Sequence, residues 1–382
     1  MKKVLIVASV VSFIEWFNRD NINYLHDTLN CEVHVACNLD YTEDTDPEKT
    51  ERYIRELKGR GVVLHNIHFA RNPFGKSNIG AYKMLKKIIN DNKFDLIHCH
   101  TPAASMYTRL AAKKARKNGS VVMYTCHGFH FHKSAPKKNW MIYYPVERFL
   151  SRYCDYLITI NHEDFKLAQK LHTKNVRYIP GVGVDIKSIQ NTVAEKDRIR
   201  AEIGIPGEAI EVISVGELIE RKNHEIIIRA IARLNNSKLY YVICGKGALK
   251  GKLIELSREL GIENRVIFLG FRNDIPALCL AADIGAFPSK IEGLGLAGIE
   301  MMAAGLPLVS SNVHGILDYV RDGETGYACP PNDADAFAEA IKKLLDDPEQ
   351  TEKMREECRR AVLPFDKEHA FKEMHDIYQE VL

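Results

Sequence analysis

The sequence predicts an α/β protein of two doubly wound parallel-sheet domains followed by a C-terminal helix. At 382 residues and 46% hydrophobic content, the chain is too long for one ordinary core and suits two. Short β-branched runs alternate with longer amphipathic segments, the rhythm of βαβ units and of a sheet covered on both faces. That rhythm lapses once, from Tyr178-Ile-Pro-Gly-Val-Gly-Val-Asp185 through a polar stretch to Pro206, and then restarts.

In chain order, the first set reads as strand Lys3–Ala8, a helix within Glu15–Leu29, strands Glu32–Ala36 and Val62–Asn66, and helix Ile79–Asp91. It continues with strand Leu96–His100, helix Ala103–Lys117, strand Val121–His127, helix Trp140–Tyr153 and strand Tyr156–Thr159. The apolar opening Val4–Val11 is too short to span a bilayer and lacks a small-residue cleavage site, so it reads as a buried first strand rather than a signal peptide. The second set has strands at Ile210–Val215, Leu239–Cys244, Val266–Leu269, Ile284–Phe287 and Pro307–Ser310, with helices between them. Domains are therefore expected at 1–180 and 181–365, with a helix at 366–382 returning to the first. Nine cysteines, an odd number without C-x-x-C spacing, suit reduced thiols and a cytoplasmic location better than a disulfide framework.

Charge is distributed unevenly. Residues 1–180 hold 28 Lys/Arg against 17 Asp/Glu, and the remainder holds 25 against 33. Between Asp95 and Glu147 there is no acid, while Arg109, Lys113, Lys114, Arg116, Lys117, Lys133, Lys137 and Lys138 fall there, followed by Trp140, Tyr143 and Tyr144. Two readings stay open: a solvated lysine-rich helix face, or contact with anionic lipid headgroups or a lipid-diphosphate acceptor, with the protein peripheral on the inner face of the membrane. No nucleic-acid-binding module accompanies the charge, and no nucleic acid is expected as partner.

Ligands of open parallel sheets bind at the carboxyl ends of the strands, where glycine turns let N–H groups and helix N-termini face phosphates. Three such turns follow strands of the second domain: Val215-Gly216-Glu217, Cys244-Gly245-Lys-Gly247-Ala248 and Glu292-Gly293-Leu294-Gly295-Leu296. Together they suggest an anion-binding crevice. The sharpest run is Ser289-Lys-Ile-Glu292-Gly-Leu-Gly-Leu-Ala-Gly-Ile-Glu300-Met-Met-Ala-Ala-Gly-Leu-Pro-Leu-Val-Ser310. Glu300 lies among apolar neighbours, and burying its carboxylate costs several kcal/mol, roughly, unless something hydrogen-bonds it. A ribose diol could donate two such bonds, and Glu292 could accept from sugar hydroxyls. Capping or internally bonded glutamates are the plainer alternative.

The paired glutamates, seven residues between them, and the following Ala-Gly-Leu-Pro resemble the signature of the retaining glycosyltransferases of family 4. The resemblance runs from the first strand through Ile179-Pro180 and Gly183-Val184-Asp185 to Glu300 and beyond. It implies the GT-B arrangement, two Rossmann-like domains facing a cleft, with an acceptor domain first and a nucleotide-sugar donor domain second. It further implies that Glu300 holds the ribose, Glu292 the donor sugar, and Gly293, Leu294, Gly295 and Leu296 present N–H groups to the donor. Lys222 matches the family's diphosphate lysine. Glu217 stands where an arginine is expected, and Arg221 is the candidate substitute. Gly216, Gly245, Gly247 and Arg272 complete the expected donor-binding set, and His127, Lys222 and Glu292 the catalytic one.

Tyr124-Thr-Cys-His127-Gly-Phe-His130-Phe-His132 ends a strand with three histidines. Alternating His-x-His can ligate zinc, but no further ligand set is evident, and no metal is expected. By resemblance, His127 and Gly128 line the cleft, with Phe129, Phe13 and Asn18 shaping the acceptor side. His98 and His100 read as structural. The His-Gly-Phe-His-Phe-His-Lys run and the following helix resemble bacterial exopolysaccharide and capsule enzymes, implying a uridine-diphosphate sugar donor and a glycan or polyprenyl-diphosphate-linked sugar acceptor. Asp-x-Asp occurs at Asp44-Thr-Asp46, in an acidic loop read from Tyr41 to Thr50, and at Asp333-Ala-Asp335, which reads as a helix start. Neither is assigned to a metal, and no cofactor is expected. A pair of carboxylates flanking a sugar bond, as in glycosidases, is not evident, nor is a clear enzymic nucleophile. The resemblance implies same-face displacement through an oxocarbenium-like state, with retention. A nicotinamide enzyme is disfavoured because the turn after the first strand, Val7-Ala-Ser-Val-Val-Ser12, carries no Gly-x-Gly-x-x-Gly and Gly245-Lys-Gly247 lacks the third glycine. A nucleotide-sugar epimerase or hydrolase and a non-catalytic sugar-nucleotide binder remain as alternatives.

Overall fold

The structure, a computed structural model, describes residues 1–40, 47–70 and 72–382. Two compact units emerge, Met1–Val182 with His369–Leu382, and Gly183–Glu368.

The first unit contains strands β1 (Lys3–Val10), β2 (Glu32–Asn38), β3 (Val63–Asn66), β4 (Leu96–His100), β5 (Val121–Cys126), β6 (Tyr156–Thr159) and β7 (Asn175–Tyr178). All pair in parallel, in the order β3-β2-β1-β4-β5-β6-β7. The central strands are near-continuous apolar runs because helices cover both faces; Val4 through Ala8 are wholly buried. The expected 103–117 helix breaks into Pro102–Ala111 and Lys113–Lys117. A helix at Pro47–Gly59 begins inside the stretch read as an acidic loop, burying Thr50, Tyr53 and Leu57 on one face. Asp44 and Asp46 lie outside the described residues.

The second unit contains β8 (Ile210–Val215), β9 (Leu239–Cys244), β10 (Val266–Gly270), β11 (Ile284–Phe287), β12 (Leu308–Ser311) and β13 (Gly326–Cys329). Its parallel order is β10-β9-β8-β11-β12-β13. Strand order thus reverses between β1 and β4 in one sheet and between β8 and β11 in the other. At such switch points adjacent loops diverge and leave a crevice at the strand ends.

The helix Lys367–Val381 packs its body on the first unit. Its Tyr378 hydroxyl lies 2.8 Å from His98 Nδ1 of β4, and His375 stacks on Tyr24 at 3.5 Å. All nine cysteines are free and buried. Among the described residues, no helix is long and apolar enough to cross a membrane.

Candidate active site

The β8 and β9 turns of the second unit touch through their backbones. Gly245 takes φ +158°, and a Cβ there would stand 1.9 Å from the Gly216 carbonyl oxygen. Its N–H donates to Gly270 at 2.7 Å. A side chain at Gly247 would meet the Leu218 carbonyl at 2.5 Å. Glycine is therefore required at this sheet edge for close backbone packing.

Across the switch point, Lys222 Nζ donates to Glu292 Oε1 at 2.6 Å and Arg221 Nη1 donates to the same oxygen at 2.8 Å. Lys222 also lies 5.2 Å from the centre of the Phe287 ring. Asn223 fixes this loop, taking φ +57°, which asparagine tolerates, and donating to the carbonyls of Pro288 at 3.0 Å and Pro331 at 2.8 Å. Two cations meeting one carboxylate oxygen leave positive charge uncompensated at the strand ends. The arrangement can receive an anion.

Helix Leu296–Ala303 begins at Gly295, φ +87°, with no side-chain cap. A Cβ on Gly295 would meet the Phe287 ring at 2.6 Å, and Tyr319 donates its hydroxyl to the Gly295 carbonyl at 3.2 Å. The helix buries Gly298, Ile299, Met301, Met302 and Ala303, leaving a half-buried stripe at Leu296, Ala297 and Glu300. The Glu300 carboxylate forms no hydrogen bond or ion pair with described residues, and burial raises its pKa. An acceptor-only group held this way has room for a donor supplied from outside.

Other expected donor residues stand differently. Glu217 is exposed; its carbonyl accepts from His224 Nε2 at 3.2 Å, while its carboxylate makes no contact among described residues. It does not oppose the cationic pair by direct contact. Arg272 is engaged by Asp274 at 2.6 and 2.8 Å and by Glu202 at 3.3 Å, and is not drawn to Glu292.

In the first unit, His127 sits just beyond β5 with its Nε2 3.2 Å from His100 Nδ1. The Phe13 ring meets it edge-on at 4.8 Å, and Phe17 stands at 5.3 Å. Burial lowers the His127 pKa to about 4 and that of His98 to about 3, and pushes His100 well down with help from its histidine neighbours. These imidazoles are neutral near pH 7 and can exchange hydrogen bonds with hydroxyls. Two expected acceptor residues are enclosed within the first unit. Asn18 is only 1% exposed because its helix turns it inward, beside Asn21 at 3.3 Å. Phe129 is 3% exposed and stacks on Phe131 at 4.6 Å, so its ring is core; its N–H donates to Asp164 at 3.0 Å. Asp333 accepts from the N–H groups of Asp335 and Ala336 and caps helix Ala334–Asp346. Among the described residues, no group of three or more His, Cys, Asp or Glu is placed to hold a metal ion.

Family comparisons give the geometry a context. Residues 195–361 match the family model "Glycosyl transferases group 1", and residues 14–187 match "Glycosyltransferase Family 4". The Bacillus subtilis (strain 168) protein named "Putative glycosyltransferase EpsD" is 36% identical over 382 residues, covering 99% of this chain and 96% of its own. The chain belongs to the glycosyltransferases. A second family member, the Escherichia coli UDP-Gal:alpha-D-GlcNAc-diphosphoundecaprenol alpha-1,3-galactosyltransferase, is 30% identical over 280 residues, 71% of this chain and 70% of that one. HepE of Anabaena, solved in complex with UDP, superposes with a TM-score of 0.78 at 19% identity over the full length of both chains. That likeness shows the fold: this glycosyltransferase has the GT-B architecture. Its sequence did not disclose the supporting residues Asn223, Tyr319 and Phe17. Phe17, four residues beyond Phe13 on one helix, carried a readable signal; Tyr319 carried none.

Proposed function

We propose that this glycosyltransferase passes the sugar of a uridine-diphosphate donor to a hydroxyl of a glycan or polyprenyl-diphosphate-linked sugar in cell-surface polysaccharide synthesis, with retention of anomeric configuration. The observation that carries the reading is the convergence of Arg221 and Lys222 on one Glu292 oxygen. The donor binds in the 183–368 unit, its ribose diol donating to Glu300. Its diphosphate draws Lys222 and Arg221 away from Glu292, freeing that carboxylate for sugar hydroxyls. The same cations and the N-terminus of the 296–303 helix then stabilise the leaving diphosphate, so turnover needs no divalent metal and survives chelation. The acceptor binds in the 1–182 unit, where neutral His127 orients hydroxyls, and the departing phosphate takes the acceptor proton. Names of relatives lend support, one acting on a diphosphoundecaprenol-linked GlcNAc and one bound to UDP.

The test is binding and turnover of a nucleotide-sugar panel by the protein and by Glu300→Ala. One uridine-diphosphate sugar should bind saturably and lose at least tenfold in affinity in the variant. Binding of none by folded protein would overturn the donor assignment, and rapid consumption of donor without acceptor would favour a hydrolase or epimerase.

A further inference from the structure

The helix Lys137–Leu150 turns one continuous face outward. Its exposed positions are 137, 138, 141, 142, 145, 148 and 149, the repeat of a single helical stripe. That stripe carries Lys137, Lys138 and Arg148 beside Met141, Ile142 and Phe149, which are 78%, 48% and 47% exposed. Long apolar side chains left in water on one stripe lack a covering element within the unit. The helix's one acid, Glu147, faces the other way, buried in a two-toothed pair with Arg109 whose contacts are 2.5 and 3.0 Å. The exposed stripe therefore carries positive charge and no negative charge.

Neighbouring segments extend the same chemistry. Lys113 lies 5.7 Å from the Phe149 ring, joining the basic 113–117 helix to the stripe. On the other side Phe74, 48% exposed, stands 6.3 Å from Tyr143. Tyr143 also stacks on His130 at 4.6 Å, only three residues from His127. The face thus adjoins the turn that holds the expected acceptor site.

We propose that this face seats the first unit on an anionic lipid bilayer, with Met141, Ile142 and Phe149 entering the acyl boundary while Lys137, Lys138 and Arg148 meet the headgroups. The argument for this occupant is charge complementarity: the lysine stems reach along the apolar stripe and place ammonium groups at headgroup level, as basic amphipathic helices do. Delivery of a lipid-linked acceptor from that surface rests on the proposed function; the bilayer contact itself does not.

Flotation of the full chain with phosphatidylglycerol–phosphatidylcholine vesicles and with pure phosphatidylcholine vesicles tests it, with no substrate present. Binding is expected to anionic vesicles alone, to weaken at high salt, and to fall about tenfold or more in Lys137→Glu/Lys138→Glu and in Met141→Ser/Ile142→Ser. Unchanged melting curves would show both variants folded, and turnover of a water-soluble acceptor should be unaffected. Absence of binding to anionic vesicles, equal binding to both vesicle types, or a concentration-dependent doubling of mass abolished by Ile142→Glu would overturn the proposal, the last by assigning the face to a second copy. Anionic-vesicle binding by a protein that binds no nucleotide sugar would sustain it while the proposed function failed.

Discussion

The two units solve one topological problem with opposite chemistry. Each sheet reverses strand order beside its first strand, and each places its distinctive residues at that switch point. In the 183–368 unit the crevice is built from glycine turns and two cations on one carboxylate. In the first unit the corresponding strand ends carry imidazoles and aromatic rings, with His100, His127 and Phe13 in contact. Topology fixes where a ligand can sit; under the proposed function, side-chain charge gives the diphosphate to one edge and sugar hydroxyls to the other.

The largest expected effect comes from breaking the cationic edge. Lys222→Ala should lower turnover by about a hundredfold to a thousandfold, the cost of losing one stabiliser of developing charge. His127→Ala, removing a neutral hydrogen-bonding group, should cost less, about tenfold to a hundredfold. Steady-state kinetics with a common donor and acceptor compares them directly. Equal losses, or a greater loss at His127, would erase the proposed division between the two edges.

A second effect separates packing from ligand binding. Gly245→Ala places a methyl group against the Gly216 carbonyl in a backbone conformation that L side chains rarely adopt, and should destabilise the protein by about 1–3 kcal/mol through overpacking. Gly261 also has positive φ, +67°, but a Cβ there meets nothing within 4 Å. Gly261→Ala should therefore cost less. Thermal melts of the two variants check this, and equal shifts would mean that backbone strain alone, not the contact between turns, accounts for glycine at 245.

How much of this was legible follows the same physics. Strands at Leu96–His100, Tyr156–Thr159, Ile210–Val215, Leu239–Cys244 and Ile284–Phe287 were readable to the residue, because strands buried on both faces are mostly apolar runs, recognisable even where His98, His100 or Glu211 interrupts them. Strand β13, Gly-Tyr-Ala-Cys, was not, since it opens with glycine and lacks a β-branched residue; Gly326 is there because a Cβ would meet the Leu308 carbonyl at 2.0 Å. The helix at 47–59 was hidden by charge. At the site, the local pattern pointed to Glu292 and Glu300 and the family resemblance to Lys222, but neither could tell that Lys222 and Glu292, 70 positions apart, share a hydrogen bond. Nor could it tell that the helix carrying Phe13 turns Asn18 inward.

The smallest effect is one of pH, and it sharpens the contrast between neutral imidazoles and charged edges. Folded-state pKa values of His127 and His224, each lowered to about 4, and of His98, lowered to about 3, lie below the ordinary histidine value because burial disfavours the cation. The unfolded chain therefore takes up protons first as pH falls. Stability from these groups is present above about pH 6.5 and is lost as pH falls toward 4. Glu211 works in the opposite direction: burial raises its pKa to about 7, so its contribution is present at low pH and is lost as pH rises through 7. Melting temperature should fall by several degrees between pH 7 and pH 5. Because the Glu211 contribution declines as pH rises from about 4.5 to 7, it partly offsets the histidine loss in that range, and in Glu211→Gln the fall in melting temperature between pH 7 and pH 5 should steepen. An unchanged fall between pH 7 and pH 5 in that variant would remove Glu211 from the account and leave the histidines alone to set the profile.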